Sequence, residues 1–210
     1  MLIMREAQQK RFFLACVLLL TPACFVSTQM TSVANPEWAP EAPIGSMLVW
    51  VVSEDLSLRS EMEAEFESRA SEYDVEIVPA FDLFFPGNSY SEDEVLETLR
   101  RREITAILYL VPGASGTQVT QRPTTTTTGC SIWTSSQGCV QTSSTTSGGS
   151  ASRAHAEYSV SLVDAIDQST IWTASATSKG NDFARQSNLR KSVVGKTLNH
   201  LRDDGILNRP

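Results

Sequence analysis

The chain has 210 residues, of which 41% are hydrophobic and 20% charged, and its formal net charge is -7. That length holds one ordinary domain with appendages, and that hydrophobic share supports a buried core, which excludes a globally disordered chain. The acidic balance excludes a phosphate-backbone binder, which needs a clustered cationic face, and no apolar run approaches the roughly 18 residues of a permanent membrane span.

Arg5, Lys10 and Arg11 precede the apolar stretch Phe12 to Leu20, and Thr21-Pro22-Ala23-Cys24 follow it. A cationic head, a short apolar segment and a small residue before a cut are the marks of an export signal over residues 1–23. An amphipathic first helix fits poorly, because the stretch is apolar on every side and then meets Pro22. Cys24 after Ala23 resembles the lipobox of bacterial lipoproteins, whose Cys is acylated and becomes the new amino terminus. Thr21 and Pro22 depart from that pattern, and Cys16 and a plain cut near Ala34 are the alternatives. Three acyl chains on Cys24 would anchor stably where one would not. Loss of residues 1–23 removes Arg5, Lys10, Arg11 and Glu6, taking the charge from -7 to -9. A domain so acidic is poorly suited to lying flat on anionic headgroups.

Cys130 and Cys139, each beside a glycine, remain as an even pair, which predicts a disulfide in an oxidising compartment. A ring of this size is worth about 2.5–3 kcal/mol in the chain-entropy model. A metal pair is the alternative, but residues 123–152 contain no His, Asp or Glu to complete a ligand set. No metal or cofactor is expected.

Residues 24–46 carry Pro36, Pro40 and Pro43 without helical or strand period, and read as a semi-stiff tether that reaches up to about 60 Å. The folded domain is expected over 47–210. Met47 to Val52 is a continuous apolar run, as in a strand covered on both faces. Leu58 to Tyr73 has helical spacing, Val75 to Val78 is a short strand ended by Pro79, and Ser91 opens a capping box before Val95, Leu96 and Leu99. Ile104 to Val111 is another buried strand. The order β-α-β-α-β predicts a parallel sheet. Residues 117–152 are a Thr/Ser/Gly-rich insertion, either low-complexity or a long polar hairpin with the cysteine loop at its tip. Tyr158 to Asp164 and Thr170 to Thr177 alternate as an antiparallel hairpin, and a last helix runs from about Asp182 to Asp204, with Gly205 as its cap. The fold class is therefore a layered α/β domain with a mixed sheet.

Leu48–Val52, Leu58-Arg59, Val75–Pro79, Ile104–Val111, Tyr158–Asp164, Ile171-Trp172 and Asp204–Leu207 together resemble, in pattern and order, a class of bacterial envelope lipoproteins. The class includes the penicillin-binding-protein activator lipoproteins, the amino-terminal domain of TolB and curli-secretion-type lipoproteins. The resemblance implies a non-catalytic protein-binding adaptor or regulator, lipid-anchored to the outer membrane and facing the periplasm, or a soluble periplasmic or secreted form of it. Its partner would be another envelope protein or further copies of itself.

Chemistry has few candidates. Val194-Gly195-Lys196-Thr197 ends like a phosphate loop but has Arg190 where glycine is required. Gly113-Ala114-Ser115-Gly116 is one residue short of a nucleophile elbow, and only His155 and His200 are available as bases. Asp164 and Asp167 read as turn residues, and Glu61, Glu63, Glu65 and Glu67 as a solvated helix face. A periplasmic hydrolase using Ser115 or an Asp pair, and a self-assembling subunit whose Thr-rich hairpin pairs with copies of itself, stand as alternative functions. Trp133, inside the cysteine loop, is either a partner anchor or a ring folded on its own hairpin. Phe81 to Phe85 is either a core plug or a contact patch.

Overall fold

The computed structural model describes residues 25–38, 43–121, 125–134, 138–146, 150–181 and 183–208, and for 120–151 the backbone alone. The chain runs β1 (Val26–Ala34), β2 (Ser46–Val51), α1 (Leu56–Ser68), a 3-10 turn (Ala70–Glu72), β3 (Glu76–Pro79), α2 (Ala80–Leu83), α3 (Glu92–Arg101), β4 (Ala106–Gln121), β5 (Thr125–Thr134), β6 (Gly138–Thr146), β7 (Ser150–Asp164), β8 (Thr170–Gly180) and α4 (Gln186–Asp203). Six of these strands form one mixed sheet in the order β1-β8-β7-β4-β2-β3, parallel at β3, β2 and β4 and antiparallel from β4 outward. This is the layered α/β arrangement expected from the sequence.

Continuous hydrophobicity in β2 has the cause inferred for it, because both faces are covered. Met47, Val49 and Val51 pack with Met62, Phe66, Val193 and Leu198 beneath α1 and α4, while Leu48 turns to a second core with Phe84, Leu99 and Ile107 beneath α2 and α3. Pro79 is tolerated because β3 is an edge strand. Ser91 and Glu94 form the expected capping box, with Ser91 N–H on Glu94 Oε2 at 2.8 Å and Glu94 N–H on Ser91 Oγ at 3.3 Å. The last helix starts at Gln186 without a side-chain cap, and the expected cap, Asp182, lies outside the described residues. Gly205 closes α4 at a φ of +77°, a left-handed turn that suits glycine. Among the described residues no helix is long and apolar enough to cross a membrane.

The tether over 24–46 requires correction. Residues 26–34 are strand β1, antiparallel to β8 from Val26 opposite Gly180 to Ala34 opposite Trp172. Its inner face is held largely by hydroxyls. Thr28 Oγ1 lies 2.8 Å from Ser178 Oγ and 2.7 Å from Ser192 Oγ, and Ser32 Oγ lies 3.0 Å from both His200 Nδ1 and Asp204 Oδ2. Val26 and Met30 are its partly buried hydrophobics, so the strand lacks the apolar alternation that would announce it. The domain therefore begins before residue 47.

β4 and β7 pair far beyond the core, to Gln121 opposite Ser150, and β5 and β6 form a separate antiparallel ribbon. Cys130, Trp133 and Cys139 lie in this ribbon, with Trp133 opposite Cys139 and Cys130 opposite Gln141. Their side chains, and with them the disulfide and the exposure of Trp133, lie outside the described residues. So do Cys24 and the export signal.

Candidate functional site

The two faces of the sheet differ. Alternation along β7 sends Ala156, Tyr158, Val160 and Leu162 inward to α4, and sets Glu157 and Ser159 outward. The neighbouring strands do the same, so Thr31, Val33, Val111, Ser159, Thr173 and Ser175 line a shallow outer surface. Among the described residues no helix packs there, because α2 and α3 cover the other end of this face, over β2, β3 and the ends of β4 and β7 at Ile107 and Val163.

Where the first turns of α3 meet this open face there is an aromatic groove. Trp50 stacks on Phe84 at 5.2 Å and lies 6.3 Å from Tyr109, and Tyr90 meets Phe84 edge-on at 5.2 Å. Tyr90 Oη accepts the Phe85 N–H at 2.9 Å, and Gln168 donates to Glu92 at 2.9 Å across the rim. Burial pushes the Tyr109 hydroxyl above its ordinary value, so it stays neutral at physiological pH. The groove offers flat aromatic surface with an amide and a carboxylate at the edge.

A larger concavity of about 720 Å³ lies at the end of the sheet where β1 starts and β8 stops. Phe25, Gln118, Arg153, His155, Lys179 and Phe183 line it. Phe25 and Phe183 are 69% and 65% exposed, large values for phenylalanine. No sequence pattern joined these residues, because they come from five different segments.

Several of the chemical candidates hold structural places. Asp164 Oδ1 accepts the N–H groups of Ile166 at 2.7 Å and Asp167 at 3.2 Å, and Asp167 Oδ1 accepts that of Ser169 at 2.8 Å, so both carboxylates shape the β7–β8 turn. Ser115 lies with Tyr158, Gln186 and Arg190, whereas His155 lines the end concavity and His200 bonds Ser32. Lys196 is exposed in the middle of α4, buried Thr197 donates to Val193 O at 3.0 Å, and Gly195 makes room for the Arg69 guanidinium, which would lie 2.8 Å from an added Cβ. Phe84 plugs the second core, while Phe85 is 70% exposed, so the Phe81–Phe85 segment divides between its two readings.

Glu63 overturns the solvated-face reading of α1. It is 1% exposed, with Oε1 accepting the Val51 N–H at 3.1 Å and Oε2 the Phe81 N–H at 2.9 Å. Arg59 Nε stands 3.7 Å from Oε1, and its guanidinium covers the Phe81 ring at 4.7 Å. Glu61 and Glu65 are also engaged, pairing with Arg190 and with Arg69 and Lys191. Alternate spacing hid this, because i, i+2 residues point to different sides of a helix and each meets a different neighbour.

No protein-family model matches the chain, and no curated protein matches it. Among solved structures it is similar to the PelC dodecamer from Paraburkholderia phytofirmans, at 15% identity over 82% of this chain and 95% of that one, with a TM-score of 0.44. It is also similar to lipoprotein GNA1162 from Neisseria meningitidis, at 17% identity over 76% of this chain and 99% of that one, with a TM-score of 0.41. A PDZ domain protein from Parabacteroides distasonis is matched at 9% identity over 89% of this chain and 38% of that one, with a TM-score of 0.41. At these values the likeness defines no family for the chain.

Proposed function

We propose that the chain is a lipoprotein of the bacterial cell envelope, anchored through acylated Cys24 to the outer membrane and facing the periplasm, and that its α/β domain is a non-catalytic adaptor or regulator that binds a protein partner. The observation that carries this reading is the open outer face of β1, β8, β7 and β4, a broad surface of hydroxyls and valines suited to a partner's surface more than to a small substrate. The turn roles of Asp164 and Asp167 support a non-catalytic reading. The place of β1 in the sheet supports Cys24 over a cut near Ala34, which would remove the strand and leave the β8 edge and Asp204 without it.

Cys130 and Cys139 form a disulfide in this reading, and Trp133 on β5 is the partner's anchor. Crosslinking in intact cells tests it. A discrete adduct with a second envelope protein is expected, and Trp133→Ala should weaken its capture without moving the thermal midpoint. A chain that is recovered from the cytosol and gives no adduct overturns the reading. Self-assembly is the second reading, favoured by the open edges of β1 and of the β5–β6 ribbon, each a template for another strand among the described residues.

A further inference from the structure

The anchor and the domain are separated by almost nothing. Cys24 is bonded to Phe25, whose carbonyl accepts the Asn181 N–H at 3.1 Å, and Val26 already pairs with Gly180 in the sheet. One residue spans at most about 3.6 Å, so an acylated Cys24 brings the adjoining end of the sheet to the membrane surface. The long tether that would hold the domain away from lipid is, for its first nine paired residues, strand β1.

The side chains at that end match a headgroup layer. Phe25 and Phe183 present exposed rings, the apolar component that lodges at the boundary between headgroups and acyl chains. Arg153 and Lys179 are exposed on the same concavity, with long stems and cationic ends that reach lipid phosphates. Among the described residues Glu157 is the one carboxylate lining that concavity, against Arg153 and Lys179, so their balance there is positive on a chain whose overall charge is -7. The acidic surface elsewhere is repelled by anionic lipid, and the two effects favour the same orientation. β4 and β7 continue past Gln118 and Arg153 to Gln121 and Ser150, so the β5–β6 ribbon leaves the body from this end.

We infer that the end of the sheet bearing Phe25, Arg153, Lys179 and Phe183 is a phospholipid-contact surface, which holds that end of the domain against the membrane beside its acyl anchor. This rests on the reading of Cys24 as the acylated residue. The test uses the acylated chain in vesicles of phosphatidylethanolamine and phosphatidylglycerol, with a nitroxide attached to Ser27→Cys, beside the patch, or to Ile166→Cys, at the opposite end of the sheet, in a Cys130→Ser/Cys139→Ser background. The label at position 27 should be several-fold less accessible to an aqueous relaxation agent than the one at 166, and Arg153→Glu/Lys179→Glu should abolish that difference while acylation is retained. Equal accessibility of the two labels on a chain whose intact mass shows acylated Cys24 overturns the inference and leaves the lipoprotein reading standing. An intact mass without acyl chains overturns the reading itself, and the inference falls with it.

Discussion

Glu63 joins three elements through one carboxylate. Its two oxygens receive amides from the end of β2 and the start of α2, while its own backbone belongs to α1. Burial pushes its pKa up, against the two N–H groups and the Arg59 charge, which pull it down. A raised value in the folded state means that folding takes up protons on this group. The stability from its titration is therefore full below the ordinary glutamate value of 4.5 and is lost as pH rises through the elevated one. Glu63→Gln removes the titration and turns an NH2 toward one of the two amides, so the variant should be less stable by about 1–3 kcal/mol at low pH. Above the raised pKa the gap should narrow, because only the wild type bears the cost of a buried charge. Urea unfolding across the acid range measures both, and parallel stability profiles for the two chains would show that Glu63 does not titrate as its burial requires.

At the scale of elements, the strands and helices that bury a stripe of apolar side chains were legible. β2, β3, β4 and α3 follow from Met47–Val51, Val75–Val78, Ile104–Val111 and the Ser91 capping box, because each carries its own hydrophobic or capping pattern. β1 was not legible, because its inward side is Val, Thr, Met and Ser, and what fastens it is a set of hydroxyl bonds to residues more than 140 positions away. The concavity and the Glu63 clamp were hidden for the same reason, since long-range polar partners leave no local period. Thr28→Val removes the hydroxyl that reaches both β8 and α4, and should lower unfolding free energy by about 1 kcal/mol, while Thr31→Val on the exposed side should change it by less than about 0.5 kcal/mol. Thermal or urea unfolding of the two variants decides the role of the segment, because a tether would be indifferent to both changes.

At the scale of the molecule, the sheet has two edges, and they are guarded differently. β3 is four residues long and carries Pro79, two features that discourage another strand from adding to it. β1 offers nine residues, Val26 to Ala34, with no charge and no proline. A natural edge of that length without either guard calls for an occupant, and a twofold contact of β1 with β1 of a second copy would satisfy both chains with the same surface. If self-assembly runs through this edge, the soluble Cys24→Ser domain should show a mass by light scattering that rises with concentration above the single-chain value. The Thr31 side chain is exposed on the outer side of β1, so Thr31→Lys should leave the thermal midpoint unchanged. Placed on β1 in both copies, the two ammonium groups would repel across the contact, and the variant should stay a single chain at every concentration. Should the unmodified domain remain a single chain throughout, β1 is left free for a different protein, and the adaptor reading gains the edge as well as the open face for its partner.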